Sequence, residues 1–347
     1  MKESLFKLTI WQTKIPNVKQ GLLPPSIPRP NPTVAGSHVF VSVFAPGAIV
    51  CLKRNTGEIV WRHELPSYGA DSVYIAGGKL FARTPHTLYA LTPDSGRELW
   101  QFCPYGTDHE WIYSNPVVSR NRVFIGDRRG ILHCLDANSG KHLWAAKTNS
   151  RGANANATPL VVGGLVVTST NARSAVAFER ATGRRVWKRN VDGAAGFGLL
   201  SHRGMIVVVT DSIYLLDARS GKIQRHLKWG SESVEYVENL GRRLAAILRS
   251  ASSSGSSKIA VCNVAKRTVS TVSHDVWCPV LRYSPETGIG YLSHLNGVRL
   301  LDENANTLTD IVVPHDGVGL VDVRERTIYL ATSRGRVCAL RHPGCDR

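Results

Sequence analysis

Hydrophobic and polar positions along this chain alternate in short blocks that are typical of β-strands. Apolar runs of about three to six residues are separated by clusters of Gly, Asn, Asp and Ser, which is the pattern of a meander of antiparallel hairpins. The segment 126–144, GDRRGILHCLDANSGKHLW, shows the unit most completely. It predicts a strand at 131–135, a turn at 136–140 and a further strand that carries Trp144.

The same unit recurs along the chain. In the best-kept copies a Gly lies five residues after a Leu or Phe, and a Trp lies four residues after that Gly. These pairs are Gly57 and Trp61, Gly96 and Trp100, Gly140 and Trp144, and Gly183 and Trp187. Copy five has Arg225 in place of the Trp, copy six has lost both residues, and copy seven has Asn306 at the Gly position. Copy eight ends before an outer strand.

The spacing of the copies predicts a β-propeller. Second strands are expected to begin near residues 38, 79, 122, 165, 205, 243, 288 and 327. This period of about 40 residues is that of a four-stranded propeller blade. The Gly suits a tight turn with positive φ, where Asn is the next best residue. The Trp of each outer strand is expected to pack on the neighbouring blade with its indole N–H bonded there. Inner strands that are apolar on both faces predict a packed axis.

We therefore expect one all-β domain over residues 1–347, an eight-bladed propeller of four-stranded antiparallel blades. The N-terminal segment supplies the outer strand that copy eight lacks. Its sequence around Trp11 matches the pattern around Trp61, so residues 6–14 are predicted to complete blade eight, with Trp11 as its docking Trp. This closure would remove an open sheet edge. Residues 17–32 are a Pro-rich connection, and residues 33–347 hold the repeats. The Ser-rich segment 249–257 is expected to lengthen a hairpin of blade six.

The pattern (A/C)-L-D-x-x-(S/T)-G-x-x-x-W resembles the pyrroloquinoline-quinone-like propeller repeat. That family includes quinoprotein dehydrogenases and a non-catalytic propeller lipoprotein of the outer-membrane β-barrel assembly machinery. In the dehydrogenases, the quinone lies near the axis beside a calcium ion, and a disulfide between adjacent cysteines stacks on it. This chain has no adjacent cysteines, is shorter than those enzymes, and shows no export signal. The resemblance therefore implies a propeller without catalysis and without a cofactor.

Composition agrees with a globular protein and adds a strong positive charge. There are 43 Lys and Arg against 26 Asp and Glu, a net charge of +17, scattered singly or in pairs. Such a charge leaves binding of nucleic acid or of an anionic surface open as an alternative.

The 7 cysteines predict reduced thiols rather than a disulfide framework. The N-terminus resembles neither a signal peptide nor a membrane span, so we expect a cytoplasmic monomer, or a periplasmic protein if the start site is misassigned.

Three connections between blades each carry an Asp and a His on the same face of the ring. They are residues 103–116, 273–278 and 314–317. Imidazole and carboxylate could form a metal or acid–base site there, but solvated or locally hydrogen-bonded polar loops are the favoured interpretation. The candidate residues in these loops are Asp108, His109, Glu110, His274, Asp275, His315 and Asp316.

Aromatic residues in the same loops predict a contact surface. Trp111, Trp277, Tyr105 and Tyr113 lie outside the docking positions, and Trp, Tyr and Arg concentrate binding energy at interfaces. Arg128 and Arg129, in a turn on that face, would add charge. The alternative for a loop Trp is that it folds inward to plug the axis. The sequence thus favours a non-catalytic scaffold that binds another protein. Quinone- or metal-dependent chemistry, and binding of nucleic acid or an anionic surface, remain the alternatives.

Overall fold

The computed structural model confirms an all-β propeller of eight blades. It describes residues 2–18, 32–43, 46–65, 72–106, 111–112, 114–148, 155, 157–193, 198–229, 232–249, 257–266, 268–274, 280–294, 296–313, 318, 321–332 and 334–343. The N-terminal elements are β1 (Lys2–Ser4), helix α1 (Leu5–Leu8) and β2 (Thr9–Lys14). Each blade then contributes strands in chain order, from the innermost strand at the axis to the outermost.

The strands of the first four blades follow the predicted hairpin pattern. Blade one contains β3 (Thr33–Ala35), β4 (His38–Val43), β5 (Ala48–Lys53) and β6 (Ile59–Glu64). Blade two contains β7 (Ser72–Ala76), β8 (Lys79–Arg83), β9 (Leu88–Leu91) and β10 (Glu98–Phe102). Blade three contains β11 (Val117–Ser119), β12 (Arg122–Gly126), β13 (Ile131–Asp136) and β14 (His142–Lys147). Blade four contains β15 (Leu160–Val162), β16 (Leu165–Thr170), β17 (Ser174–Glu179) and β18 (Arg185–Asn190).

The last four blades repeat this order, with two additions from the N-terminus. Blade five contains β19 (Gly198–His202), β20 (Met205–Val209), β21 (Ile213–Asp217) and β22 (Ile223–Leu227). Blade six contains β23 (Ser233–Leu240), β24 (Arg243–Arg249), β25 (Ser257–Asn263) and β26 (Thr268–His274). Blade seven contains β27 (Val280–Ser284), β28 (Ile289–His294), β29 (Gly297–Leu301) and β30 (Thr307–Val312), and blade eight contains β31 (Asp322–Arg324), β32 (Thr327–Ala331) and β33 (Arg336–Arg341). The addition β1 pairs with β30, and β2 pairs with β33.

The core is a ring of eight apolar layers, one between each pair of neighbouring blades. Second and third strands are the most buried, because both of their faces lie against a neighbouring sheet. The predicted starts of the second strands match those observed, except that β28 begins at Ile289 rather than 288. The Ser-rich segment connects β24 to β25, as expected for blade six, although residues 250–256 lie outside the described residues.

The prediction of a packed axis is wrong. The inner strands β11 and β15 are half-buried along their whole length. A cavity of about 540 Å³ lies among the inner strands of blades one, two, seven and eight. Its lining includes Arg282, Asp322 and Arg324, charged side chains that require water. Apolar inner strands in some blades therefore coexist with a partly polar central channel, as is common in propellers.

The Gly and Trp of the repeat form the joint between blades. Each Trp ring covers the Gly turn of the next blade, so closely that a Cβ on Gly96 would lie 2.6 Å from the Trp61 ring. Gly96 has φ of 66°, which explains why the position takes Gly. The indole nitrogen of Trp61 donates to the carbonyl of Pro93 at 2.9 Å. Trp11, Trp100 and Trp187 make the same bond to Arg54, Ala137 and Ala218.

In two joints, an arginine donates to the turn carbonyl that accepts the indole N–H in the other joints. Trp144 packs on Gly183, but within the described residues its buried indole nitrogen has no acceptor. The carbonyl that it would use belongs to Arg180, and Arg122 donates to that carbonyl at 3.1 Å. In blade five, the guanidinium of Arg225 donates to the carbonyl of Val264 in the next blade. Arg225 thus replaces the hydrogen bond of the missing Trp, although it cannot replace the ring.

The N-terminal closure is confirmed, with a shorter strand than predicted. Antiparallel β2 pairs with β33 from Thr9 to Lys14, and Trp11 docks on blade one. Residue 6 was predicted to lie in this strand, but residues 5–8 form one helical turn because the chain bends from blade seven to blade eight there. The turn is fixed by the Thr9 hydroxyl, which donates to the carbonyl of Leu5 at 2.7 Å. Of the 17–32 connection, only residues 17, 18 and 32 are described.

Asn306 does not occupy the left-handed turn position of blade seven. That position belongs to Ala305, with φ of 64°. The turn is one residue shorter than in the other copies, because Ala305 N donates to the carbonyl of Asp302, three residues back. Asn306 instead donates to the Asp302 carboxylate from both its backbone nitrogen and its side chain. Ala305 and Asn306 together form a tight turn without Gly.

Candidate functional site

The 103–116 loop is anchored on the face of the ring that carries the outer-to-inner connections, which we call the loop face. Ile112 is the anchor, with 1% of its surface exposed. Its nitrogen donates to the carbonyl of Pro85 and its carbonyl accepts from Arg83, both at 2.7 Å. The neighbouring carbonyl of Trp111 accepts from Arg128 N at 2.9 Å. The loop is therefore bonded to hairpins of both blade two and blade three.

A buried carboxylate below this loop holds the hairpin of blade three in place. Asp127 Oδ1 accepts from Ile131 N at 2.8 Å, and Oδ2 accepts from the hydroxyl of Tyr105 and from His133 Nε2, the latter at 3.1 Å. Burial acts to raise the pKa of Asp127, but the hydrogen bonds from His133, Tyr105 and Ile131 outweigh it and hold this pKa below its usual range. Asp127 is therefore ionised and fixes Tyr105 above it.

Asp127 is linked through His133 to a second histidine, His142, which lies nearer the surface. His133 Nδ1 lies 3.3 Å from His142 Nε2. Because His133 directs its Nε2 proton to Asp127, Nδ1 accepts from His142 in the neutral pair. Phe102 stacks on His142 with an interplanar angle of 8°. Burial and the neighbouring His133 lower the pKa of His142. These contacts orient the rings, but no group of three His, Cys, Asp or Glu among the described residues is arranged to hold a metal ion.

The exposed part of the site is an aromatic and basic patch. Trp111 is 43% exposed, and its ring meets His86 edge-on at 5.4 Å. Arg128 and Arg129 are exposed in the hairpin of blade three, and the Arg129 guanidinium carbon lies 4.0 Å from the centre of the Tyr105 ring. We call the set of His86, Tyr105, Trp111, Arg128 and Arg129 the Trp111 patch. The alternative that Trp111 folds inward to plug the axis is wrong, because the ring lies on the surface.

Four of the residues singled out in the sequence are thus brought together: Tyr105, Trp111, Arg128 and Arg129. Their role in binding stays a prediction. The remaining loop candidates lie outside the described residues: Asp108, His109, Glu110, Tyr113, Asp275, Trp277, His315 and Asp316.

His274 is a structural residue rather than a loop residue. It ends strand β26 with 2% of its surface exposed. Its Nε2 donates to the carbonyl of Ala305 at 3.0 Å, and its Nδ1 accepts from Arg299, 3.3 Å away. Arg299 in turn is paired with Asp310 through two hydrogen bonds. Burial, and then the charge of Arg299, lower the pKa of His274. The ring joins blades six and seven, and both of its nitrogens are occupied.

The sequence prediction missed Asp127, His133 and His142. One signal was present for His133, because the corresponding position, two residues before the Leu or Phe that ends the repeat strand, is Val50 in blade one and Val176 in blade four. Most blades have an apolar or aromatic residue at this position, so a His there marks a polar contact, as Arg299 does at the same position of blade seven. His142 gave no such signal, because outer strands carry polar residues in every blade.

The channel residues do not fit the quinone and calcium ion that the dehydrogenases of the family hold near the axis. Calcium takes about six to eight oxygen ligands. Both oxygens of Asp322 already accept backbone N–H groups, from Val34 and Val323. Glu238 accepts from the Tyr236 hydroxyl at 3.3 Å and lies 3.6 Å from Arg282. Burial raises the pKa of Glu238, only partly opposed by Arg282, and so disfavours the charged form that a metal needs.

No helix in the described part of the chain is long and apolar enough to cross a membrane.

Comparison with known proteins agrees with the fold. A family model described as outer membrane protein assembly factor BamB matches residues 9–101 and 84–277. The structure of the computationally designed protein Ika8 superposes with a TM-score of 0.75 at 14% identity, covering 96% of this chain and 99% of that one. At this identity the likeness concerns the fold alone.

Relatives with similar sequences fall into two functional classes. BamB of Yersinia pestis is 27% identical over 243 residues, which cover 61% of this chain and 59% of that protein. A polyvinylalcohol dehydrogenase of a Pseudomonas species is 28% identical over 145 residues, which cover 34% of this chain and 22% of that protein. The matched segments span less than two thirds of either relative. The family model, in contrast, covers more than half of this chain, and the eight blades and their Gly–Trp joints agree with it. The chain belongs to the BamB family of pyrroloquinoline-quinone-like β-propellers.

Proposed function

We propose that this chain is a non-catalytic binding module that docks another protein on the Trp111 patch. The observation that carries the proposal is the exposed ring of Trp111, held beside two exposed arginines by an anchored loop. Trp, Tyr and Arg dominate the binding energy of protein interfaces. The buried Asp127 below Tyr105 fixes the patch before any partner arrives, which reduces the entropy lost on binding.

The chemistry of the patch also suggests the kind of partner. Arg128 and Arg129 carry positive charge at the edge of the patch, and none of its five described residues has a carboxylate. A partner that presents carboxylates around an apolar contact would match this arrangement, and its association would be accelerated by the net charge of +17. The relative named as an assembly factor supports a role in binding proteins, whereas the described channel residues do not support quinone chemistry.

The decisive experiment immobilises the wild type and three variants and compares the proteins that each captures. The affinity of each purified partner for all four proteins is then measured. Trp111→Ala and Arg129→Glu are expected to weaken binding of the true partner at least about tenfold. Lys141→Glu is the matched control, because Lys141 is exposed in the same blade on the opposite face. A purified partner that binds all four proteins with one affinity contradicts the proposal.

Two further measurements test the alternatives. Calcium together with pyrroloquinoline quinone should leave the melting temperature unchanged; a rise of several degrees would favour an enzyme. Retention on heparin that falls steeply with salt, and is equal for the wild type and Arg129→Glu, would instead favour a general binder of anionic surfaces.

A further inference from the structure

Seven of the eight outer strands are protected by a β-bulge. In each, one residue beside the docking position is skipped in the pairing with the third strand, as Val60 is between Ile59 and Trp61. The same shift occurs in the outer strands of blades two, three, four, five, seven and eight. A bulge twists an edge and interrupts its hydrogen-bonding row, which discourages pairing with another strand.

The outer strand of blade six has neither a β-bulge nor a charged side chain, the two features that discourage other strands from pairing with an edge. Strand β26 pairs with β25 over seven consecutive residues without a shift in register. Every other outer strand contains at least one Lys, Arg, Asp or Glu, whereas β26 reads TVSTVSH. Residues 268–271 and 273 are exposed, and Val269 is 48% exposed. Among the described strands, none pairs with its outer side. Regular, uncharged and rich in β-branched residues, this edge is suited to accept a further strand.

Blade seven demonstrates that this ring has room for a fifth strand. There, β1 pairs in parallel with β30, from Lys2 opposite Asp310 to Ser4 opposite Val312. The bulge of β30 lies at Leu308, between the residues that pair with Leu300 and Leu301. The added strand therefore begins only beyond the bulge, where the edge is regular. In β26 the whole strand is regular.

A cavity of about 320 Å³ opens beside the start of β26, between blades five and six. It lies where the Trp–Gly joint is replaced by Arg225, so no indole ring fills the space. Among the described residues, its lining combines apolar and basic groups without a carboxylate: Gln224, Arg225, His226, Leu227, Cys262, Asn263, Val264, Thr268 and Val269. Lys222, Lys228 and Lys266 are exposed close by in the sequence. The cavity would take an apolar side chain, and its basic surroundings favour acidic neighbours.

We propose that the outer edge of blade six binds an extended strand of a partner protein that alternates aliphatic and acidic residues. The backbone of the partner strand would pair with β26, an aliphatic side chain would enter the cavity beside Val269, and carboxylates would face Arg225 and Lys266. This surface lies on the rim of the ring and is separate from the Trp111 patch.

The test uses fluorescein-labelled peptides of about ten residues and fluorescence anisotropy. A peptide that alternates Val and Glu should bind, and a peptide that alternates Val and Lys should bind at least about tenfold more weakly. A peptide of equal negative charge with Pro at every third position cannot form a strand, and it should be weakened to the same extent. Equal binding of the Glu and Pro-containing peptides would reduce the effect to net charge and overturn the proposal.

Two variants assign the site. Thr271→Lys places on the exposed face of β26 the kind of charge that protects other edges, and should weaken the Val–Glu peptide at least about tenfold. Ala145→Lys adds the same charge to the bulged outer strand of blade three and should leave binding unchanged. Amide hydrogen exchange of the wild type provides a readout without substitution, because the peptide should protect residues 268–274. Protection elsewhere, or a dimer of the free protein that Thr271→Lys abolishes, would overturn the proposal, the latter in favour of a second copy as occupant.

Discussion

Gly96 illustrates how a single residue holds two blades together. Its φ of 66° lies in the left-handed region, and its missing Cβ makes room for the Trp61 ring. Gly204 also has a positive φ, of 81°, but nothing lies within 4 Å of the position that its Cβ would occupy. The two positions therefore separate the backbone requirement for Gly from the requirement for space.

We expect Gly204→Ala to cost roughly 1–2 kcal/mol in the free energy of unfolding, since only the backbone is strained. Gly96→Ala should cost about 1–3 kcal/mol more, because the new methyl group displaces Trp61. Urea denaturation of both variants measures the difference. Equal losses would mean that the joint tolerates a methyl group and that the repeat keeps its Gly for the backbone alone.

His274 is buried in its neutral form, with Nε2 as donor and Nδ1 as acceptor. Its pKa in the folded protein is lowered, so on acidification the unfolded chain takes up the proton first. The contribution of this residue to stability is therefore complete above about pH 6.5 and declines as the pH falls from there towards the lower folded pKa.

We expect His274→Gln, which retains a donor for Ala305, to flatten the loss of stability below about pH 6.5 by up to ~1.4 kcal/mol per pH unit. The measurement is urea denaturation at several pH values. The buried His202 and His342, whose pKa values are also lowered by burial, leave a residual slope in the variant. A variant with the wild-type slope would show that His274 does not titrate with unfolding.

At the scale of the element, the joints between blades differ more than the repeat suggests. Trp61 satisfies the carbonyl of Pro93, whereas the carbonyl next to Trp144 is already satisfied by Arg122. The indole N–H of Trp144 is thus buried without an acceptor in the part of the chain that the structure describes. The best-kept copy in the sequence contains the least complete of the five Trp joints.

Trp→Phe substitutions should reveal this difference. Trp61→Phe leaves the carbonyl of the half-buried Pro93 without its donor, whereas Trp144→Phe removes an N–H that has no partner among the described residues. We expect Trp61→Phe to be the more destabilising by about 1–2 kcal/mol, since both variants lose a similar ring area. Chemical denaturation of the pair gives the comparison, and Trp100→Phe should behave like Trp61→Phe. The opposite order would imply an acceptor for Trp144 in solution.

Element boundaries were largely predictable, because a repeat allows weak local signals to be read eight times. The starts of second strands and the closing strand around Trp11 could be found in this way. The polar channel could not, because its charged side chains come from individual inner strands and not from the repeat. The helical turn at 5–8 and the shift from Asn306 to Ala305 could not either, since each is unique to one blade. The Asp127–His133 pair was missed for the same reason: it depends on Tyr105, whose approach to blade three is decided by the path of a loop and not by the repeat.

At the scale of the whole molecule, the closing strand determines whether the ring unfolds as one unit. Residues 9–14 contribute the fourth strand of blade eight and dock Trp11 on blade one. Without them, two neighbouring blades lose their shared edge, and unfolding can spread from that gap. Residues 2–8 add a fifth strand and a helical turn outside this closure.

We therefore expect deletion of residues 1–16 to replace one cooperative unfolding transition by a broad or multiphasic one at lower temperature. Deletion of residues 1–8, which leaves β2 intact, is the matched control and should preserve a single transition with a smaller loss of stability. Differential scanning calorimetry distinguishes the two results. A single sharp transition of the shorter chain near the wild-type temperature would refute the role of β2.

The pairing of residues 9–14 with residues 336–341 also sets an order of events during synthesis. Strand β2 leaves the ribosome long before its partner β33 and has to wait for it, an interval on the order of tens of seconds at typical translation rates. Throughout that time the nascent ring is open, with Trp11 and two sheet edges uncovered. The gap fits the N-terminal strand of a second nascent copy as well as its own. Crowded synthesis on one messenger RNA should therefore favour exchanged dimers, which chaperones that shield the N-terminus would suppress.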